Sequence, residues 1–473
     1  MTEYSDRPGY SFNPGPPPEA SRFLKNKGLK TAFSWQDVEP EEHAVAFTVA
    51  KAMQIDVLTA IREEVQKALD EGLPLAAFQK NLKPRLQALG WWGWKEMVDP
   101  ETGDTVEARL GSPRRLRTIY NANLRSARAA GQWERIERTK KLLPFLEYRL
   151  GPSEHHRPHH AIKAGLVLPV DDPFWDAWMP PNGWGCKCWV RQLTRREAEA
   201  KGVDTAPKLL PRKVLNKRTG EMKEVPPGID PGWERNPGKL RLQAVTRLLV
   251  EKMDQLPNPA AEVAARDMLS SWAFARMIDA GKTAAKVGRP APKAFVAAAV
   301  LPADVMEASG ATVRGVILSS DTATKQAKSH SDLSAEDYQR LLGLLTDQDL
   351  HGLVYGVSQL VENQTKERIA TGKHAPDGAP WPAWSADYAA TRHQGQSLLV
   401  GLGNPGLLES IQNYATGLEA VVGTPLVYGA IHQFGGAGAG KPGLPARPYL
   451  GLSKDDREAI EALVVDSLGE MLK

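Results

Sequence analysis

Cysteine is nearly missing. The chain of 473 residues has two, Cys186 and Cys188, and one intervening residue is too short a spacing for an ordinary structural disulfide. A disulfide scaffold is therefore excluded, and the pair fits a reducing compartment or a metal. Long apolar runs are missing too: none approaches the roughly 18 residues that a spanning helix needs. The opening residues, MTEYSDRPGYSFNPGPPPEA, are polar and proline-rich where a secretion signal would be apolar. These absences predict a cytoplasmic chain without a membrane span. An excess of one charge is also lacking, since Lys plus Arg is 60 against Asp plus Glu 56, and net charge alone gives no reason to expect nucleic acid. GGAGAGKPG at 435–443 lacks the spacing of a P-loop or dinucleotide fingerprint. It reads as a mobile glycine-rich loop, of the kind that orders on a neighbouring subunit.

What is present is the composition of an ordinary globular protein, 42% hydrophobic and 25% charged, at a length that implies two to four domains. Pro14 to Pro18 form an extended leader, and a short helix opens at Pro18. From Glu41 to Glu71 the residues Val45, Val49, Ala52, Ile55, Leu58, Ile61, Val65 and Leu69 recur at three- and four-residue steps. This predicts one long helix stopped by Gly72. Pro74 to Leu89 gives another helix, and Leu116 to Lys141 a third, with Ile119, Leu124, Ala127 and Ile136 as inward positions. The first half reads as mainly helical.

Charge is uneven along the chain. From Arg109 to Arg149 there are eleven Lys or Arg against three Glu. Such a run is either a solvated helix face or a surface for phosphates, and Arg114, Arg115, Arg117, Arg125 and Arg128 are the candidate DNA contacts. Contact would be non-specific, because no base-reading motif accompanies them.

Glu147 to Val190 is loop-like and carries Glu154, His155, His156, His159, His160, Asp171, Asp172, Asp176, Cys186 and Cys188. Imidazoles and thiolates are the ligand types of a tetrahedral zinc site, although the spacing is not that of a standard finger and loop histidines also serve backbone groups. Pro180-Pro181-Asn182-Gly183 reads as a turn returning the cysteines toward the histidines.

The order of landmarks resembles the phage Mu F-like head morphogenesis, or minor head protein, family. The landmarks are PPEASRFLKNKGL, FSWQDVEPEEHAVAFTVAKA, LGWWG, RLRTIYNANLRSARAAGQWERI and HHRPHHAIKAGLVLPVDDPFWDAWMPPNGWGCKCWV, over roughly residues 16 to 200. Many members carry Cys-x-x-Cys where this chain has Arg157-Pro158-His159-His160. The carry-over therefore falls on His160 with Cys186 and Cys188, and His156 is the candidate fourth ligand of one structural zinc ion. The resemblance implies a few-copy internal or portal-associated head component, with portal and other head proteins as partners and packaged DNA nearby.

Thr205 to Pro237 is rich in Pro, Gly, Lys and Arg and predicts a hairpin or linker turning at Asn216 to Gly220. Leu240 to Leu345 mixes helical and strand patterns. Its end is similar to the entrance of a nuclease-like toxin module, but the strands that would complete a catalytic fold are missing. His330, Asp332 and Lys325 read as a surface loop rather than a hydrolytic set. A fresh helix with Leu353, Val357, Leu360, Val361 and Ile369 on its apolar side runs from about Asp349 to Thr371 and ends at Gly372. DGAPWPAW, GLLESI, VVGTPLVYGAIHQFGG and LPARPYLGLSKDD then follow in order over roughly 347 to 470. Together they resemble the phage virion morphogenesis, or Mu G-like tail completion, family. His432, Arg447 and Asp455 within it lack an elbow-held nucleophile and do not read as a catalytic trio.

The reading is a multidomain α+β chain: a helix-rich head morphogenesis domain with a loop-rich His/Cys region (1–204), a linker or hairpin (205–239), a middle α/β segment (240–345) and a C-terminal helix-plus-sheet completion module (346–473). The two resemblances imply a structural assembly protein rather than an enzyme. It would act in head building and in head-tail joining, with neck or tail partners and a homo-oligomeric ring through the C-terminal module. It would lie in the host cytoplasm during assembly and then in the virion. A head-associated nuclease or toxin, and a zinc-dependent DNA-binding protein, are the alternatives. Each half is expected to fold without the other.

Overall fold

Apolar spacing accounts for most of the first unit, seen in a computed structural model that describes residues 18–216, 218–241, 347–392, 395–401, 406–416, 419–426, 428–438 and 441–471. The leader and nearly all of the middle segment, with His330, Asp332 and Lys325, lie outside the described residues. Helix α1 (Pro18–Lys25) starts at a proline whose missing N–H costs nothing there and buries Ala20, Phe23 and Leu24. The single helix expected over 41–71 is two. α2 (Pro40–Val45) ends where β2 (Ala46–Phe47) pairs in parallel with β1 (Gly28–Leu29), and helix resumes only at α3 (Ile55–Asp70). Val49 is buried as the spacing predicts, but the amide of Lys51 bonds the Ala32 carbonyl at 2.8 Å and its φ is +61°. A helix cannot pass through that residue.

α3 turns Val57, Leu58, Ile61, Val65 and Leu69 inward against α4 (Leu75–Ala88), which supplies Phe78, Leu82 and Leu86. An unexpected hairpin, β3 (Trp94–Val98) with β4 (Thr105–Arg109), leads to α5 (Pro113–Thr139). Ser112 caps α5, its hydroxyl accepting the Arg115 amide at 3.2 Å. The four inward positions expected on α5 are all buried.

The His/Cys region is built on a three-stranded antiparallel sheet. Its central strand is β5 (Phe145–Arg149), flanked by β6 (Val167–Pro169) and β7 (Trp189–Leu193). Short helices α6 (Pro158–Ala161), α7 (Phe174–Trp178) and α8 (Arg195–Lys201) fill the connections. The expected hairpin is present as β8 (Arg212–Leu215) and β9 (Met222–Val225). The segment around it is part of a core rather than a free tether. Val225, Ile229 and Trp233 pack with Tyr148, Trp175 and Trp178.

The C-terminal unit opens with α9 (Asp347–Glu367), which runs into a π-helical turn (Arg368–Gly372) closed by Lys373 at φ +55°. After α10 (Ala386–Ala390) and α11 (Leu407–Ser410), β10 (Gln412–Thr416) and β11 (Glu419–Gly423) form a hairpin. α12 (Gly429–Phe434), β12 (Gly436–Gly438), β13 (Lys441–Leu444) and α13 (Lys454–Met471) complete the unit. Its core gathers Ile369, Trp381, Leu407, Leu408, Ile411 and Tyr449. The mixed α+β class is as the sequence predicts.

The two units share a buried junction. α9 lies against α5 and β7, with Leu143 packed on Leu360 and Leu463. Asn363 donates to the Gln192 carbonyl at 2.6 Å. Glu362, fully buried, accepts from Lys366 Nζ at 2.5 Å and from the Asn413 backbone amide at 2.9 Å, with Arg135 Nε at 3.7 Å. Burial alone would raise this carboxyl, but Lys366, Arg135 and Asn413 outweigh it and hold it below the usual carboxylate range.

Candidate metal centre

α6 is one turn long, begun by Pro158, and it places His160 under the sheet with 3% of its surface exposed. His160 Nε2 is 2.9 Å from the Gly228 carbonyl. A carbonyl only accepts, so Nε2 carries the proton and Nδ1 keeps a lone pair. That lone pair faces sulfur: Cys188 Sγ is 3.5 Å and Cys186 Sγ 3.9 Å from Nδ1. Gly228 is held at φ +92°, and a Cβ there would sit 2.4 Å from His159 Cβ. Glycine is therefore required for this carbonyl to come so close. Trp178 meets the imidazole edge-on at 5.5 Å.

The three donors lie within 4.8 Å of one another. Zinc bonds of 2.0–2.3 Å at tetrahedral angles put ligand atoms roughly 3.3–3.8 Å apart, so the set fits zinc with little movement. The thiols are already unequal. The hydrogen bond from Cys188 holds the Cys186 thiol well below its ordinary range, against burial. The neighbouring Cys186 sulfur, with burial, pushes Cys188 up. A bound cation removes that inequality by stabilising both thiolates. The carbonyl on Nε2 is the outer partner that ligating histidines ordinarily have.

His156 does not join the cluster. Its ring is exposed, and Nε2 is 2.9 Å from the Gly151 carbonyl at the end of β5. It lies before Pro158, outside the turn that aims His160 inward. Arg157 instead spans Asp230 with both Nη atoms at 2.9 Å and donates to the Trp184 carbonyl at 3.1 Å. Arg157 and Asp230 thus form a two-pronged ion pair that fastens this loop.

The candidate DNA contacts divide by direction. Arg114 and Arg117 are exposed on the first turns of α5. Arg115 bonds the Ala50 and Arg109 carbonyls and lies 4.8 Å over the Trp91 ring. Arg125 donates to the Cys186 carbonyl at 2.6 Å and pairs with Glu409 at 3.4 Å. The Nη atoms of Arg128 are buried. In this arrangement only Arg114 and Arg117 present free guanidinium groups to a surface ligand. In the C-terminal unit Arg447 donates to the Pro382 and Ala383 carbonyls, bracing the Trp-Pro-Ala-Trp loop.

Residues 59–191 match the phage Mu protein F-like family, and residues 337–469 match the phage virion morphogenesis family. Protein F of Escherichia phage Mu, which carries the name of a capsid assembly protein, is 33% identical over 374 residues, covering 72% of this chain and 84% of its own length. The chain belongs to the phage Mu F-like family. The FluMu F protein of a Haemophilus influenzae prophage is 35% identical over 37% of this chain and 41% of its own length. The FluMu G protein 1 of the same prophage is 30% identical over 32% of this chain and 93% of its own length. No solved structure matches.

All three metal-cluster residues fall inside the F-like match. Tyr148, Asn182 and Asp230 were not found by sequence reasoning. The Tyr148 hydroxyl donates to Asn182 at 3.0 Å beside the thiols, and Asp230 also accepts the Trp184 amide at 2.8 Å. No spacing marks these pairs. Their common signal is the density of Asn, Asp and Gly around a buried aromatic.

Proposed function

We propose that this chain is a structural assembly protein of a Mu-like phage particle that works both in head morphogenesis and in head-tail joining or tail completion. One observation carries the reading: matches to the F-like and virion morphogenesis families occupy the same chain, over 59–191 and 337–469. Portal and head proteins are the partners of the first unit, and neck or tail proteins, with a ring of its own copies, those of the second. The chain acts in the host cytoplasm and ends in the virion, and its role is structural rather than catalytic. One zinc ion at His160, Cys186 and Cys188 ties the loop after β5 to β7, as a structural site.

Deletion in the phage tests this. Removing 346–473 is expected to give DNA-filled heads without tails, and removing 1–204 defective or empty heads. The same early block from both deletions would overturn the division of labour.

A further inference from the structure

The junction between the units encloses a cleft of about 80 Å³. Arg125, Arg128 and Gln132 of α5 line one side, Lys187 and Trp189 of the cysteine loop another, and Glu409 of α11 the third. Hydrogen bonding inside it is incomplete. Arg128 Nη1 and Nη2 are both buried without a partner, as are Arg125 Nε and Trp189 Nε1. Arg125 uses its Nη atoms on the Cys186 carbonyl and on Glu409 Oε1. Glu409 Oε2 is buried with nothing donating to it. Gln132 is already committed to the Val190 carbonyl at 3.0 Å.

Buried unpaired donors on a guanidinium are costly unless a ligand or water meets them. Water fits a space of this size but leaves the charge uncompensated. Arg125, Arg128 and Lys187 against Glu409 leave two positive charges. Arg135 and Lys366, which also line the cleft, already pair with Glu19 and Glu362. Cys186 and Cys188 also line the cleft, and the count rests on the zinc proposed above, whose two charges cancel those of both thiolates. The cleft thus offers several free donors, one free acceptor and two compensating charges. Hydrogen phosphate matches each: two negative charges, three accepting oxygens and one P–OH. Sulfate matches the charge but has no proton to donate, and a phosphodiester lacks both the second charge and the P–OH.

We propose that this cleft binds inorganic hydrogen phosphate, the protonated dianion. Arg128 and Arg125 hold its oxygens, and Glu409 Oε2 accepts from its P–OH. The site would tie α5 and α11 together through a shared ligand.

Calorimetry on the full chain in phosphate-free buffer near neutral pH, titrated with inorganic phosphate, sulfate and phenyl phosphate, tests it. One phosphate should bind per chain, and sulfate at least about tenfold more weakly, because it sets an oxygen against the Glu409 carboxylate. Phenyl phosphate, whose dianion has no P–OH and whose protonated form carries one charge, should bind as weakly as sulfate, and binding as tight as that of inorganic phosphate would overturn the proposal. R128M should lose binding. Without phosphate it should melt no lower than the parent, since a buried unpaired charge has been removed, and added phosphate should raise the melting temperature of the parent alone. E409Q should bring phosphate and sulfate closer together. Absence of phosphate binding, equal binding by R128M, or sulfate binding as tightly as phosphate would overturn the proposal.

Discussion

A histidine whose Nε2 is tied to a carbonyl has one nitrogen left to offer, and at His160 that nitrogen faces two thiols. Purified chain is expected to hold one zinc ion by elemental analysis. H160A, C186S and C188S should each lose it and several kcal/mol of stability, about the scale set by coupling of metal binding to folding. H156A should keep the metal. Unchanged melting and no stoichiometric metal would reduce the site to a packed loop. His160 and both cysteines were legible in the sequence because ligand chemistry restricts the residue types. The exclusion of His156 was not, because it depends on which side of Pro158 the chain begins to turn.

Lys27 makes a second case at this scale. Burial, then Arg235 and Arg241, lowers its ammonium to about 7, while its Nζ donates to the His43 carbonyl at 2.6 Å. The unfolded chain, with the ordinary value of 10.5, then holds this proton more tightly than the folded one. Stability from this group is present above 10.5 and is lost as pH falls through 7. Urea unfolding at about pH 7 and about pH 9.5 should show the parent gaining stability with pH, and K27M should flatten that gain. An identical slope in K27M would place the effect elsewhere.

At the level of elements, α5 shows why a basic run is ambiguous on paper. Helical period placed Ile119, Leu124, Ala127 and Ile136 inward correctly, but a 27-residue helix packs on α1, α4 and α9 in turn. Its buried stripe widens until Arg115, Arg125 and Arg128 are enclosed as well. If α5 lies on packaged DNA, R114A with R117A should reduce the slope of log K against log salt by about 1.8. R115A should leave the slope alone and cost about 1–3 kcal/mol of stability through its two carbonyl partners. No DNA binding at low salt, or an unchanged slope in the double variant, would remove this surface from consideration. The break between α2 and α3 was illegible for a related reason. Side-chain spacing continued through Val49 and Ala52, while the backbone was claimed by a strand pair whose partner lies far upstream.

At the scale of the whole molecule, motif order made both units legible, but their junction left no mark in the sequence, because Glu362 and Arg135 are brought together only by folding. Two halves with separate apolar stripes were expected to fold apart. The structure instead puts a buried carboxylate of one half against a guanidinium of the other, beside the Asn363 bond to β7 and the Leu143 contact. Removing one member of such a set leaves the others charged and buried, so E362A in the full chain should cost about 3–5 kcal/mol. Residues 1–241 and 347–473, produced as separate chains, should associate when mixed and co-elute on size-exclusion chromatography, and E362A should weaken that association. The relatives lend this sense, since F and G of the Haemophilus prophage are separate proteins and this chain carries both segments. If the pieces elute apart, each unfolding cooperatively with the stability it has in the full chain, the junction contributes nothing and the halves are independent domains. If they associate and E362A separates them, the polar junction is what makes the fused chain one folding unit.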